Sequence, residues 1–233
     1  MPVSPLIIRQ FELFKTLPDP IITQLGQFAT LAEVPRRKIV MQKGEVAHSL
    51  GLLLEGRLQG VDMTLDGHEA GLYFIEPNDF FGELSVVDKN PASEFVIALS
   101  PARFVMVPAQ LIQQLVASSP EIAVIINNRL ALRLREAIAQ RSLLAMPTPL
   151  QRICAQLTRL IRKSDNGEMV IAHAPTHQEL AIMINVTRET VTRAFQKLQK
   201  QGVVKRHDNY LIITNLTYIQ RLAAGIEPDQ LKK

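Results

Sequence analysis

Residues 176–201 read THQELAIMINVTRETVTRAFQKLQKQ, and the C-terminal fold follows from them. Thr176 and Glu179 have the S/T-x-x-E spacing of a capping box, which satisfies two backbone donors at a helix start. Leu180, Ala181 and Ile184 give that helix an apolar face. Asn185 tolerates the left-handed backbone of a sharp turn, and Thr187 is suited to cap a second helix. In that second helix Val191, Phe195 and Leu198 recur at i, i+4 and i+7 and are expected to face inward. Arg188, Glu189, Thr192 and Arg193 lie about 150° away around the helix. Arginine pairs with guanine O6 and N7, and glutamate accepts from cytosine N4. An arbitrary charged helix face is usually just solvated. Here the capped first helix and the tight turn favour major-groove reading.

The segment TRETVTRAFQKLQKQGVV (187–204) resembles the helix-turn-helix of the CRP/FNR transcription regulators. The resemblance implies that Arg188, Glu189 and Arg193 read bases, and that Gln178, Thr187 and Thr190 hold phosphates.

Outward from this motif, Met146-Pro147-Thr148-Pro149 breaks the chain and marks a domain boundary. A helix is expected over 150–162, with Ile153, Leu157 and Leu160 inward, then a loop over 163–168 and a short strand in MVIAHA (169–174). GVVKRHDNYLIITN (202–215) reads as a hairpin turned at Asp208-Asn209, which makes the fold a winged helix. Lys205, Arg206 and His207 stand where a wing touches phosphates, or where a turn is simply solvated. A helix over 215–224 and a loose tail, IEPDQLKK, end the chain.

Before the boundary, residues 118–146 read as one long helix. Ser119 is its cap, Pro120 sits at N1 and Glu121 suits the positive end of the dipole. Ala123, Ile126, Leu130, Leu134, Ala137, Arg141 and Leu144 recur in alternating three- and four-residue steps, a coiled-coil seam of about three heptads. The alternative is a helix lying on its own domain. The family resemblance implies a parallel homodimer through this helix.

From about Leu31 to Val107 the pattern changes to short strands: LAEV, KIVM, LGLLLEG, RLQGVDM, AGLYFI, EFVIAL and RFVMV. Turn signals at Gly44, Gly56, Asp66-Gly67, Pro77-Asn78 and Pro91 separate them. Such spacing predicts a sandwich or barrel, large enough to enclose a small ligand. QKGE (42–45), LLLEGRL (52–58), DGHEAGLYFI (66–75) and FFGELSVVD (80–88) resemble the same family's cyclic-nucleotide-binding roll. The resemblance implies an effector pocket at Gly82, Glu83, Leu84, Ser93 and Ala137. In that pattern an arginine should hold the cyclic phosphate, but NPASEFVIA puts Ala92 or Ser93 there. Without a cation a buried phosphate loses its strongest contact, and Glu83 and Glu94 repel it further. Ala137 and Ile138 also replace the hydroxyl pair that would meet adenine. Cyclic AMP is therefore not expected and no cofactor is certain: the pocket is either vestigial and filled by side chains or takes a different effector.

The fold class is α+β: a roll-like effector domain over 1–117, a dimerisation helix over 118–146 and a winged helix-turn-helix over 147–233. Residues 1–146 carry 13 Lys+Arg against 15 Asp+Glu, whereas residues 147–233 carry 13 against 7. The positive charge thus travels with the helix-turn-helix, as DNA binding by counterion release requires. No apolar run approaches membrane-spanning length, no signal peptide is recognisable, and the single Cys154 fits a reducing cytoplasm and core packing. The five histidines are scattered, and no nucleophile elbow, P-loop or carboxylate pair points to an enzyme. The expected function is sequence-specific transcription regulation at palindromic operators. The alternative is a nucleotide- or metabolite-gated sensor that needs its effector to bind DNA. Double-stranded DNA, a second copy of the chain and RNA polymerase are the expected partners, and a membrane is not.

Overall fold

The computed structural model of the protein describes residues 2–63, 69–207 and 210–226. The turns expected at Asp66-Gly67 and Asp208-Asn209, His68, and residues 227–233 of the tail lie outside them. The chain forms two compact units, Met1–Gly67 with Leu72–Ala137, and His68–Gly71 with Ile138–Lys233.

The first unit opens with α1 (Pro5–Arg9), a 3-10 turn (Glu12–Phe14) and α2 (Asp19–Phe28). Proline in the first turn of α1 and of α2 suits the helix start, where its fixed φ is already helical and its missing N–H has no partner to lose. The strands are β1 (Thr30–Val34), β2 (Ile39–Met41), β3 (Ser49–Glu55), β4 (Leu58–Met63), β5 (Glu69–Ile75), β6 (Phe80–Phe81), β7 (Phe95–Ala98) and β8 (Ala102–Pro108). They form two sheets, β1-β8-β3-β6 and β2-β7-β4-β5. Every strand run expected from the sequence is present. Strand β6 and helix α3 (Glu83–Asp88) were not legible, because two and six residues are too few to display a period.

Alternation along β3 divides the core. Leu50 and Leu52 join Val105 and Val107 of β8 beneath Ile8, Phe14, Ile22 and Leu25. Leu53 points the other way, into a layer with Leu58, Ile75, Phe81, Val96 and Phe104 drawn from both sheets. There Phe81 and Phe104 meet edge to face at 5.6 Å.

After α4 (Ala109–Ser118), α5 (Pro120–Leu144) begins. The Ser119 hydroxyl accepts from the Ile122 N–H at 3.4 Å and donates to Glu121 at 2.9 Å, the cap read from the sequence. Ile122 and Ile126 are buried in the first unit's core, at 0% and 1% exposure. Ile126 is therefore not part of an open seam: it packs on its own domain, roughly one flank away from the free strip. Ala123 and Leu130 are half-buried, whereas Leu134, Ala137, Arg141 and Leu144 are exposed, as are Val124 and Ile138. The helix thus has one face on its own domain and a separate apolar strip in solvent.

The second unit contains α6 (Pro149–Leu160), β9 (Arg162–Lys163), β10 (Met169–Ile171), α7 (His177–Ile184), α8 (Arg188–Lys200), β11 (Val204–His207), β12 (Tyr210–Ile213) and α9 (Leu216–Ala223). Its sheet runs β11-β12-β10-β9. Thr148 with Gln151 forms a capping box at α6 that the sequence reading did not anticipate, although the T-x-x-Q spacing carries it. Cys154 is fully buried, and burial pushes its thiol up to about 12, so it packs and does not react.

Candidate functional site

The helix-turn-helix is built as its sequence dictates. Thr176 Oγ1 accepts from the Glu179 N–H at 3.2 Å, and the Glu179 carboxylate accepts from the Thr176 N–H at 2.9 Å. Asn185 takes φ +52° and ψ +62° after α7, the left-handed turn it was expected to supply. The Thr187 hydroxyl accepts from the Thr190 N–H at 3.3 Å, and the two threonine hydroxyls lie 3.0 Å apart. Val191, Phe195 and Leu198 are buried at 2% exposure or less. Packing of that stripe fixes the rotation of α8 and turns its opposite side outward.

On the outward side Arg188, Glu189 and Arg193 are exposed, and Thr192 is half-buried. Gln178 and Thr187 are exposed, and Thr190 is half-buried. The Glu189 carboxyl is held below its usual range by backbone and Thr187 hydrogen bonds and by the flanking Arg188 and Arg193. These charges sit at the N-terminal end of α8, the end that a recognition helix presents to base edges.

Arg206 differs from the solvated alternative, and His177 makes contacts that the sequence reading did not anticipate. Arg206 is not a solvated wing residue, because its guanidinium donates to the Pro175 and Ala174 carbonyls at 3.2 and 3.5 Å and ties the segment before α7 to β11. His177 is more than a helix-start residue. Its Nδ1 lies 2.9 Å from Thr192 Oγ1 and its ring packs on Phe195 at 4.8 Å. His173 sits in a turn with φ +52°, so it does not share a helical face with His177.

Several of the residues expected to form the effector pocket are engaged by neighbouring side chains. Gly82 has φ +84° and precedes α3, so a side chain there would be strained whatever the room. Glu83 is buried at 1% exposure, and its carboxylate accepts from Arg133 Nε at 3.0 Å. Arg133, buried at 8%, comes from α5 and lies 3.2 Å from the centre of the Tyr73 ring, a cation–π contact at desolvated range. Gly60 leaves room for that ring: a Cβ there would lie 2.6 Å from it. The Tyr73 hydroxyl donates to Glu94 at 2.7 Å, and Ser93 donates to the same carboxylate. Burial pushes the Tyr73 phenol well above its usual range, so it stays a donor. Arg129, one turn earlier, pairs with Asp79 and lies 4.0 Å from Glu83.

Of the remaining expected pocket residues, Ala92 is buried, Leu84 is 38% exposed and Ala137 is exposed on the free strip of α5. A cleft of about 450 Å³ in this unit is lined by His48, Ser85, Lys89, Gln110 and Gln113, not by Glu83 or Arg133.

Sequence reading missed Arg129, Arg133 and Tyr73. The signal was present: Arg129 and Arg133 are four residues apart, off the seam, and continue the inward row begun by Ile122 and Ile126. Two arginines on one inward face call for buried acids.

The described residues hold no cluster of three His, Cys, Asp or Glu side chains able to bind a metal. Among them no single helix is long and apolar enough to cross a membrane.

Comparison with known proteins places these units. Residues 31–119 match the cyclic nucleotide-binding domain family, and residues 151–222 match the Crp-like helix-turn-helix domain family. The CRP-like cAMP-activated global transcriptional regulator of Mycobacterium tuberculosis (strain ATCC 25618 / H37Rv) is 24% identical over 220 residues, 93% of this chain and 98% of that protein. Among solved structures, FixK2 from Bradyrhizobium japonicum covers 83% of this chain and 96% of its own, with TM-score 0.71 and 19% identity. The c-di-GMP responsive global regulator CLP from Xanthomonas campestris covers 85% and 100%, with TM-score 0.67 and 21% identity. The Mycobacterium relative is a transcriptional regulator and the Xanthomonas protein a global regulator. With a cyclic-nucleotide-binding-type roll, a long helix and a Crp-like helix-turn-helix in that order, this chain belongs to the CRP/FNR family of transcription regulators.

Proposed function

We propose that this regulator binds palindromic double-stranded DNA as a homodimer and reaches its DNA-competent form without cyclic AMP. One observation carries the DNA half of this reading. Arg188, Glu189 and Arg193 are exposed together at the start of a helix whose cap and turn are fully formed. In that role Arg188 and Arg193 pair with guanine edges, Glu189 accepts from cytosine, and Gln178, Thr187 and Thr190 contact phosphates.

The exposed strip of Leu134, Ala137, Ile138 and Leu144, with the half-buried Leu130, supports a helix-to-helix seam. A parallel pair presents its two recognition helices to half-sites about 34 Å apart. The protein then acts in the cytoplasm on transcription, with RNA polymerase as its further partner.

The effector half rests on Glu83. Its carboxylate is already taken by Arg133, and Glu94 is taken by Tyr73 and Ser93. Ala92 offers no cation, and the nearby arginines of α5, Arg133 and Arg129, are already paired with Glu83 and Asp79. The residues present do not fit that ligand. The named relatives differ in effector, one cAMP-activated and one c-di-GMP responsive, so retention of the roll does not select one.

The test is operator affinity of nucleotide-stripped protein, on a duplex it has selected from a random library, with and without cyclic AMP at one salt concentration. Equal affinities are expected. A rise of about tenfold or more would overturn the reading. Binding that appears only with some other added nucleotide would favour the gated-sensor alternative.

A further inference from the structure

His177 opens α7, yet its hydrogen bond crosses to α8. The Thr192 hydroxyl, 2.9 Å from His177 Nδ1, also donates to the Arg188 carbonyl at 3.0 Å. A hydroxyl has one hydrogen to give. Since Thr192 spends it on Arg188, His177 Nδ1 must carry the hydrogen of the other contact and donate to Thr192. The ring is fixed further by Phe195 beneath it. The neutral ring therefore has its lone pair on Nε2, which has no protein partner among the described residues.

We propose that His177 is a proton-linked positioning residue: through Nδ1 it holds Thr192 and Arg188 in register, and at Nε2 it takes up a proton when DNA phosphates arrive. This rests on the DNA-reading role of α8.

The charged groups facing His177 from neighbouring elements are Arg206 on β11 and Arg188 on α8. On its own helix Glu179 is turned to the Thr176 N–H. Burial first, then the two arginines, hold the imidazole below its ordinary 6.5, so it is neutral near pH 7. A phosphate held at Gln178, the next residue on α7, offsets that repulsion and favours the imidazolium.

The pKa is then higher in the complex than in free protein. Affinity strengthens as pH falls through the complex's pKa and levels off below the free protein's pKa. One proton limits the gain to about tenfold per pH unit. The Nδ1–H bond to Thr192 is kept in both states, so the recognition helix does not move when the ring charges.

The experiment measures affinity for the selected duplex between about pH 5 and pH 8, for the wild type, His177→Asn and His177→Ala. Asparagine keeps a donor where Nδ1 was and cannot take up the proton. His177→Asn should match the wild type at the alkaline end and fall behind by up to about tenfold at the acid end. His177→Ala, lacking the bond to Thr192, should bind more weakly throughout. A His177→Asn profile parallel to the wild type would overturn the proposal. Imidazole NMR of wild-type protein gives a second readout that no variant can spoil: the His177 pKa must rise when duplex is added, and an unchanged or lowered value would overturn the proposal equally. If the protein selects no duplex at all, the DNA-reading role fails, and this inference with it.

Discussion

Two sets of arginines and carboxylates in this protein have opposite fates. On α8, Arg188, Glu189 and Arg193 are exposed. In the roll unit, Arg129, Arg133, Glu83, Asp79 and Glu94 are buried or nearly so and bonded to one another or to Tyr73. The first set keeps its hydrogen-bonding capacity for a partner, whereas the second has spent most of it inside the fold. Exposed ion pairs contribute little to stability, so the first set is free to serve recognition. Buried pairs are costly to break, so the second set holds its domain together whether or not a ligand ever binds. The lesson is that an arginine or glutamate in a family-like position says little until its neighbours are known.

The sharpest way to break this comparison is Glu83→Ala. It would leave Arg133 buried beside Tyr73 without its carboxylate, and unfolding in denaturant should show a loss of about 3–5 kcal/mol. Pairing it with Arg133→Met should recover much of that loss, since the stranded charge is gone. A Glu83→Ala variant as stable as the wild type would mean that the network is not structural.

Leu134→Glu tests the α5 strip next. Placing a charge at the centre of an apolar seam costs on the order of several kcal/mol, enough to give monomers in sedimentation at micromolar concentration. A dimer that survives would move the interface elsewhere. Ile126→Ala should behave differently, because Ile126 lies in the roll core: it should cost about 2–5 kcal/mol of stability and leave assembly intact at temperatures where the chain is folded.

Arg188→Ala and Arg193→Ala come third. Each should weaken binding to the selected duplex by about 1–3 kcal/mol and affect random duplex far less. Equal losses on both would reduce these arginines to phosphate contacts. Thr176→Ala is the mildest probe. It removes one arm of the α7 capping box and should lower stability by about 1 kcal/mol, measured by thermal melting, with little change in base preference.

Much of the second unit was legible because its rules are local. A capping box needs residues three apart, a left-handed turn needs an asparagine in place, and a 3.6-residue stripe needs one helix. Thr176, Glu179, Asn185, Thr187, Val191, Phe195 and Leu198 satisfy those conditions within 23 consecutive residues, and all take the expected positions. The strand runs of the roll were legible for the same reason. Arg206 was misread because its partners, the carbonyls of Ala174 and Pro175, lie some thirty residues earlier in the chain.

By itself, then, the sequence determined the order of elements, the caps and turns of the helix-turn-helix, the side of α8 that faces out, and the absence of an arginine at position 92. Each depends on residues within a few turns or strand lengths of one another. Tertiary structure alone decided which of two apolar rows on α5 was already covered, and that Ile126 belonged to the covered one. It also brought Arg133 to Glu83, fifty residues away, a pairing that no spacing along the chain announced. It set His177 against Thr192 as well. Such contacts follow from the packing of whole elements, and their partners are chosen by shape and desolvation in three dimensions, which no spacing along the chain records.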